Sequence, residues 1–130
     1  MIRSTGVPTP FQAEFTNGTH TSVADAPVAK GGGGQGFGPH ELLEAALATC
    51  LTMTVQMSAA KHGFPLTGVR SEVRIDRTIP GEPSLTYSLE LDGPLTEEQI
   101  RHLRNAAAEC PVGKTLTGRI TLQPAVTAEA

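Results

Sequence analysis

Two cysteines, Cys50 and Cys110, are the residues of this chain whose chemistry is most open to question. A cysteine can pack as a small apolar side chain, or its thiolate can act as a nucleophile and enter a reversible disulfide. Cys50 lies inside an apolar helical pattern, which favours packing. Cys110 precedes Pro111 at a predicted helix end, where a thiol is not needed for packing. The two could exchange between thiols and a disulfide if the fold brings their α-carbons within about 7 Å.

The composition argues against several other classes of function. The chain has 130 residues and a net charge of −3, and its ten Lys and Arg residues are scattered, so we expect no nucleic acid partner. No apolar run has the length of a signal peptide or of a membrane span, which predicts a cytoplasmic protein without a membrane partner. The cysteines lack a metal-binding spacing such as Cys-x-x-Cys, so we expect neither a metal site nor a permanent disulfide.

The first half of the chain contains patterns for two strands and one long helix. Apolar and polar residues alternate over 11–23 around Asn17-Gly18, a pair that favours a tight turn, and this predicts two antiparallel strands. The glycine-rich segment 28–38 predicts a mobile loop. Pro39 suits the first position of a helix and Gly63 suits its end, so one helix should connect them.

The second half predicts two strands, a shorter helix and a last strand. Residues 68–76 and 84–91 alternate as half-buried strands do. Thr96–Gln99 has the pattern of a capping box, which opens a helix that stops near Cys110. Residues 118–124 suggest a final short strand, and 124–130 a frayed tail.

This order predicts a single α+β domain, 1–130, with its core over 11–122. One five-stranded antiparallel sheet should pack on the long central helix, beside the second helix. Such a sheet covers only one side of a helix, yet the long helix is apolar nearly all round. We therefore expect a second subunit to cover the other side in a symmetric homodimer.

Two segments of the sequence resemble the signatures of the OsmC/Ohr family. "GPHELLEAALATCLTMTVQMSAAKHG", which holds Cys50, is similar to the first signature, and "AAAECPVGKTL", which holds Cys110, is similar to the second. The resemblance implies an intertwined homodimer with its sites at the subunit interface. It also implies a thiol-dependent peroxidase that reduces small organic hydroperoxides without metal, flavin or haem. By position, Cys50 would be the attacking cysteine and Cys110 the resolving one.

The implied chemistry needs two sulfurs and an external reductant. Cys50 would become a sulfenic acid, Cys110 would condense with it to a disulfide, and a dithiol of lipoyl or thioredoxin-like type would reduce that disulfide. Activation of the first sulfur is harder to explain, because Cys50 lies about three turns inside its helix, beyond the reach of the helix dipole. We therefore expect a cation beside it.

The sequence departs from the family pattern at the residues that would supply this cation. Family members resembling the organic hydroperoxide reductases hold an arginine with a glutamate directly after the helix-opening proline, whereas here His40 follows Pro39 and Glu41 comes one place later. Arg3 is the only arginine before Cys50. The candidate activating groups are Arg3, His40, Glu41 and Lys114, although each is also typical of a solvated surface charge.

Apolar residues along the long helix suggest what the site would accept. Their side chains would receive an alkyl chain better than a charged metabolite, although residues of this kind also serve as plain core. The candidate substrate-binding residues are Leu43, Leu47, Met53 and Met57. The alternative function is a non-catalytic dimer of the same fold that binds an apolar ligand. A cysteine hydrolase is disfavoured, because no histidine falls at helical spacing on the face of Cys50.

Overall fold

The computed structural model describes residues 1–125 and has the antiparallel α+β fold that the sequence predicts, built from two sheets and three helices in the described residues. Its contacts divide the chain into two compact units. One contains Met1–Ala46 and Val73–Thr86, and the other contains Leu47–Glu72 and the chain from Tyr87 onward. Of the tail expected over 124–130, residues 126–130 lie outside the described part.

A three-stranded antiparallel sheet forms in the first unit. Its strands are β1 (Arg3–Gly6), β2 (Gln12–Thr16) and β3 (Thr21–Asp25), in the order β1-β2-β3. The predicted hairpin between β2 and β3 is confirmed, since the Asn17 side-chain oxygen accepts hydrogen bonds from two backbone N–H groups of the turn and Gly18 has φ 98°. Strand β1 was not expected from the sequence.

The glycine-rich segment contains a short 3-10 helix, Val28–Lys30, and then packs closely against β3 and the residue that follows it. A side chain at Gly32 would collide with the carbonyl of Ala26, and one at Gly36 with the carbonyl of Val23. These two glycines therefore allow backbone to approach backbone, which no residue with a Cβ permits there.

Helix α1 runs from Pro39 to His62, and Gly63 with φ 65° ends it, so the predicted bounds are confirmed. Glu41 accepts a hydrogen bond from the Gly38 N–H at 2.9 Å and so caps the helix start. Four residues at four-residue spacing are buried: Leu47, Leu51, Val55 and Ala59. The apolar residues outside this stripe include several that face solvent in the single chain.

Among residues 1–125, α1 is the one helix long and apolar enough to cross a membrane by length and composition, with a mean hydropathy of 1.3 over its most apolar window. The sequence patterns had suggested that no segment reaches this level. Core helices of water-soluble proteins meet the same criterion, so the feature is weak support for a membrane span.

Strands β4 (Gly68–Asp76) and β5 (Ser84–Asp92) form a separate two-stranded sheet. The expected single five-stranded sheet is therefore wrong, since β4 and β5 do not join β1, β2 and β3 within the described chain. Arg70 on β4 makes ion pairs of 2.8 and 2.7 Å with Glu90 and Asp92 on β5.

Two helices follow the second sheet. Helix α2 (Glu97–Ala108) begins with the predicted capping box, in which Thr96 and Gln99 exchange side-chain and backbone hydrogen bonds. Helix α3 (Pro111–Thr117) was not expected. Residues 118–124, which the sequence suggests as a strand, form no strand here, since they are exposed and pair with no strand of residues 1–125.

The core of the second unit comes mainly from two helices, α1 and α2. Helix α1 contributes four residues, α2 two and β5 one, and the last is the cysteine that precedes α3. The buried apolar residues are Leu47, Leu51, Val55, Ala59, Leu89, Leu103, Ala107 and Cys110. One of the two cysteines is thus part of this core.

Candidate active site

Cys50 lies midway along α1, where its side chain is half-buried. Its Sγ atom is 3.9 Å from the Thr54 hydroxyl, one turn further along the helix. The backbone N–H of Val112 in α3 donates a hydrogen bond to the same sulfur at 3.5 Å. A contact 62 residues away in the chain therefore holds Cys50 against the segment that follows Cys110.

Cys110 is the N-cap residue of α3, a position usually taken by Ser, Thr, Asp or Asn. Its Sγ atom accepts a hydrogen bond from the Gly113 N–H at 3.3 Å and so plays the part of the usual oxygen. Pro111 at the first helical position has no N–H to satisfy. The residue is 1% exposed. Both sulfurs thus meet the backbone of 110–113.

Opposing effects act on the pKa of the Cys110 thiol. Burial raises the pKa of the Cys110 thiol above its ordinary 9.0, and the neighbouring Cys50 raises it further. The N–H groups of Gly113 and Val112 act in the opposite direction, because they favour an anionic sulfur. Burial dominates, so Cys110 is held as a neutral thiol at physiological pH.

Gly113 has little free space around its α-carbon. A Cβ there would lie 3.0 Å from the Cys110 sulfur and 3.7 Å from Cδ1 of Leu47. Leu47, a predicted substrate-binding residue, is therefore a buried neighbour of the 110–113 backbone. Its position suits the wall of a sulfur site as well as the core.

The other predicted lining residues lie on the exposed side of α1. Their exposed fractions are 43% for Leu43, 49% for Met53 and 68% for Met57. Side chains of this size are usually buried, so this part of the helix presents an apolar surface in the single chain.

Lys114 lies in α3, three residues after Pro111, but its charge is already paired. Its ammonium forms a 2.9 Å ion pair with Glu109, and both side chains are exposed. A charge shared with a carboxylate and solvated by water stabilises a sulfur anion weakly. The Val112 N–H, which sequence reasoning missed, is instead the donor recorded at Cys50.

The remaining candidate activating groups lie in the first unit, at the positions that follow. Arg3 lies on the exposed strand β1 opposite Thr16. His40 is exposed in the first turn of α1, and Glu41 accepts the Gly38 N–H there. The Glu41 carboxylate therefore has a capping role.

Three of the clefts in residues 1–125 are lined without either cysteine. The first, of about 470 Å³, lies in the first unit between Phe37 and Glu41, above the buried Asp25. Two more, of about 270 and 180 Å³, flank α1 in the second unit. In residues 1–125, no three His, Cys, Asp or Glu side chains gather into a group that could hold a metal ion.

Asp25 is a second buried polar group that the sequence analysis did not identify. It is 2% exposed, and its carboxylate accepts hydrogen bonds from the Gln35 N–H at 2.9 Å, the Gly33 N–H at 3.3 Å and the Gln12 amide at 3.4 Å. The Gln35 contact lowers the pKa of Asp25 most, and the other two add to it. The sequence signal that could have identified Asp25 is an acidic residue close to the end of a predicted strand, before a glycine-rich segment.

Comparison with known proteins identifies both the family and the fold. A family model described as OsmC-like protein matches residues 32–125. An OsmC-like protein from Mycoplasma pneumoniae is 23% identical with a TM-score of 0.74, and the match covers 91% of this chain and 86% of that one.

Two further solved structures share the fold. An organic hydroperoxide resistance protein OsmC from Legionella pneumophila is 24% identical with a TM-score of 0.66, covering 91% of this chain and 88% of that one. The organic hydroperoxide resistance protein OhrB of Bacillus subtilis is 22% identical with a TM-score of 0.59, covering 91% and 90%. No curated protein matches the chain.

Proposed function

Because the chain belongs to the family of OsmC-like proteins, we propose that it is a thiol-dependent peroxidase that reduces organic hydroperoxides. The observation that carries the proposal is the meeting of both sulfurs at residues 110–113, where Val112 donates to Cys50 and Gly113 donates to Cys110. Resistance to organic hydroperoxides in the names of the Legionella and Bacillus proteins supports the same substrate class.

The reaction proceeds in three balanced steps. The Cys50 thiolate attacks the terminal oxygen of the hydroperoxide, the O–O bond breaks, and the leaving alkoxide takes a proton to become an alcohol. Cys110 then attacks the Cys50 sulfenic acid, and a disulfide forms with loss of water. An external dithiol donates two electrons, which restores both thiols and leaves the dithiol oxidised.

The surroundings of the sulfurs support this division of roles. Cys50 is the more accessible of the two, and attack on a peroxide requires access. Its contact with the Val112 N–H offers a hydrogen bond to the anionic sulfur, in place of the cation expected from the sequence. Cys110, buried and protonated, suits the resolving role because it is protected from direct oxidation.

A homodimer completes the proposal. The exposed side chains of Leu43, Met53 and Met57 give α1 an apolar surface, and a second copy of the chain would bury it. A seam of this composition would receive the alkyl group of a small organic hydroperoxide more readily than hydrogen peroxide. The reductant would be a lipoyl or thioredoxin-like dithiol in the cytoplasm.

The proposal is tested by adding one equivalent of cumene hydroperoxide to the reduced protein. We expect rapid formation of a Cys50–Cys110 disulfide, detected by mass spectrometry after digestion. Cys50→Ser should abolish peroxide consumption. Cys110→Ser should stop at a sulfenic acid on Cys50, which dimedone traps.

Two results would contradict the proposed peroxidase function. One is peroxide consumption by Cys50→Ser at the wild-type rate, and the other is an unoxidised Cys50 in the wild-type protein after prolonged exposure. The second result, together with binding of a fatty acid by an intact dimer, would favour the non-catalytic alternative.

A further inference from the structure

We infer that the reducing dithiol attacks the sulfur of Cys50, so that regeneration passes through a mixed disulfide on Cys50 and releases Cys110 as a thiol. This inference rests on the proposed disulfide and adds the atom at which the reductant acts.

Access separates the two sulfurs of that disulfide. Cys110 is 1% exposed, and its cover comes from its own chain, where Gly113 donates to its sulfur and Leu47 lies beside Gly113. A partner subunit can add to this cover but cannot remove it. Cys50 is half-buried in the single chain, and the proposed reaction requires that a peroxide reach its sulfur in the dimer as well. Of the two sulfurs, Cys50 is therefore the one that a thiolate from outside can reach without opening the α2–α3 junction.

The leaving group is also suited to this direction of attack. When the incoming thiolate bonds to the Cys50 sulfur, the bond between the two cysteines breaks and its electron pair moves to the Cys110 sulfur. The Gly113 N–H lies 3.3 Å from that sulfur and stabilises the charge as it appears. The sulfur then takes a proton from solvent, since burial favours the neutral thiol.

Protonation of Cys110 favours the second step of the reduction over reversal of the first step. A neutral thiol attacks a disulfide, a weaker electrophile than a sulfenic acid, only slowly, so Cys110 reverses this reaction less readily than it resolves the sulfenic acid. The second thiol of the reductant instead attacks the sulfur of its own first thiol. That step breaks the mixed disulfide, restores Cys50 and releases the reductant as an intramolecular disulfide.

The experiment locates the mixed disulfide directly. The Cys50–Cys110 disulfide is first made with diamide, so the test does not depend on the peroxidase reaction. Glutathione is then added, and samples are quenched with acid within seconds and alkylated in denaturant. Trypsin separates the cysteines, because Cys50 falls in residues 31–61 and Cys110 in residues 105–114.

We expect glutathione on the Cys50 peptide at least tenfold above the Cys110 peptide. Leu47→Ala, which opens space beside Gly113, should raise the share on Cys110 severalfold. Val55→Ala, a truncation of another buried residue on α1, should leave the ratio unchanged.

Equal labelling, or an excess on Cys110, would overturn the inference and leave the peroxidase proposal standing. Failure of cumene hydroperoxide to form the disulfide would have the opposite effect, since diamide supplies the disulfide for this test in either case.

Discussion

Asp25 and Cys110 occupy similar positions in two different parts of the molecule. Each is at most 2% exposed, and each accepts hydrogen bonds from the backbone of a glycine-containing segment. Their pKa values nevertheless move in opposite directions. Hydrogen bonds, led by the Gln35 N–H, lower the pKa of Asp25, whereas burial raises the pKa of Cys110.

The difference shows how the number and length of donated hydrogen bonds decide a buried group's charge. Three N–H donors surround the Asp25 carboxylate, the nearest at 2.9 Å, and together they outweigh its desolvation. At Cys110 the Gly113 N–H donates over a longer distance, 3.3 Å, to a large and weakly accepting sulfur. The N–H groups of Gly113 and Val112 therefore do not outweigh the desolvation of this thiol. One group is thus a fixed anion that orders a loop, and the other is a protonated thiol.

The largest effect should follow from crowding the loop around Asp25. In Gly36→Ala the new methyl group collides with the Val23 carbonyl, and neither backbone can move without breaking the packing of the loop on β3. We expect the melting temperature to fall by roughly 10 °C. Gly6→Ala, where the added methyl meets nothing within 4 Å, is the control and should change it little.

Removing the charge of Asp25 should cost less, because the shape is kept. Asp25→Asn replaces one acceptor oxygen with a donor that faces backbone N–H groups, and we expect a fall in melting temperature of roughly 5 °C. Asp76→Asn tests the same change at an exposed carboxylate that accepts the Thr78 N–H. An equal loss in both variants would show that the burial of Asp25 is irrelevant.

A methyl group at Gly113 probes the corresponding position beside Cys110. Its Cβ would lie 3.0 Å from the sulfur, but a side chain can shift by a few tenths of an ångström where a backbone cannot. Gly113→Ala should therefore lower the melting temperature by only roughly 3 °C. A loss as large as that of Gly36→Ala would mean that the sulfur is held as rigidly as the loop.

The pH dependence of stability should be the smallest and most specific effect. The unfolded chain loses the Cys110 proton near pH 9.0, before the folded chain does, so stability falls as the pH rises past that value. At pH 9.5 the melting temperature of the wild-type protein should drop by roughly 2 °C more than that of Cys110→Ser. An equal change of melting temperature with pH in the two proteins would contradict a raised pKa at Cys110.

Asp25 should give the opposite slope in acid. Its pKa is lower in the folded chain than the ordinary 3.8, so its contribution to stability is complete above that value and is lost as the pH falls through the folded pKa. The melting temperatures of the wild-type protein and Asp25→Asn should therefore converge as the pH is lowered from 4 to 2.

Local signals in the sequence predicted the elements that depend on local interactions. Pro39 and Gly63 bound α1, the Thr96–Gln99 capping box opens α2, and Asn17-Gly18 forms the hairpin turn. In each case the residues that specify the feature are the residues that form it, so no distant contact has to be known.

Features that depend on distant contacts were missed. Strand β1 consists of Arg-Ser-Thr-Gly, which has no strand pattern of its own and is ordered by pairing with β2. Helix α3 is short and contains Gly113, and its cap is a cysteine, so Pro111 is the one common start signal that it carries. The Val112 N–H meets Cys50 across 62 residues, and spacing alone cannot predict that contact.

The location of Cys50 within α1 determines which part of the site can move. Its backbone is fixed by helical hydrogen bonds for about three turns on either side, so the sulfur cannot travel towards a partner. Formation of a bond between the sulfurs must be accommodated by the 110–113 backbone, whose N–H groups then face a disulfide in place of two separate sulfurs. Faster hydrogen exchange at Val112 and Gly113, with none at the centre of α1, would be the record that oxidation leaves in the protein.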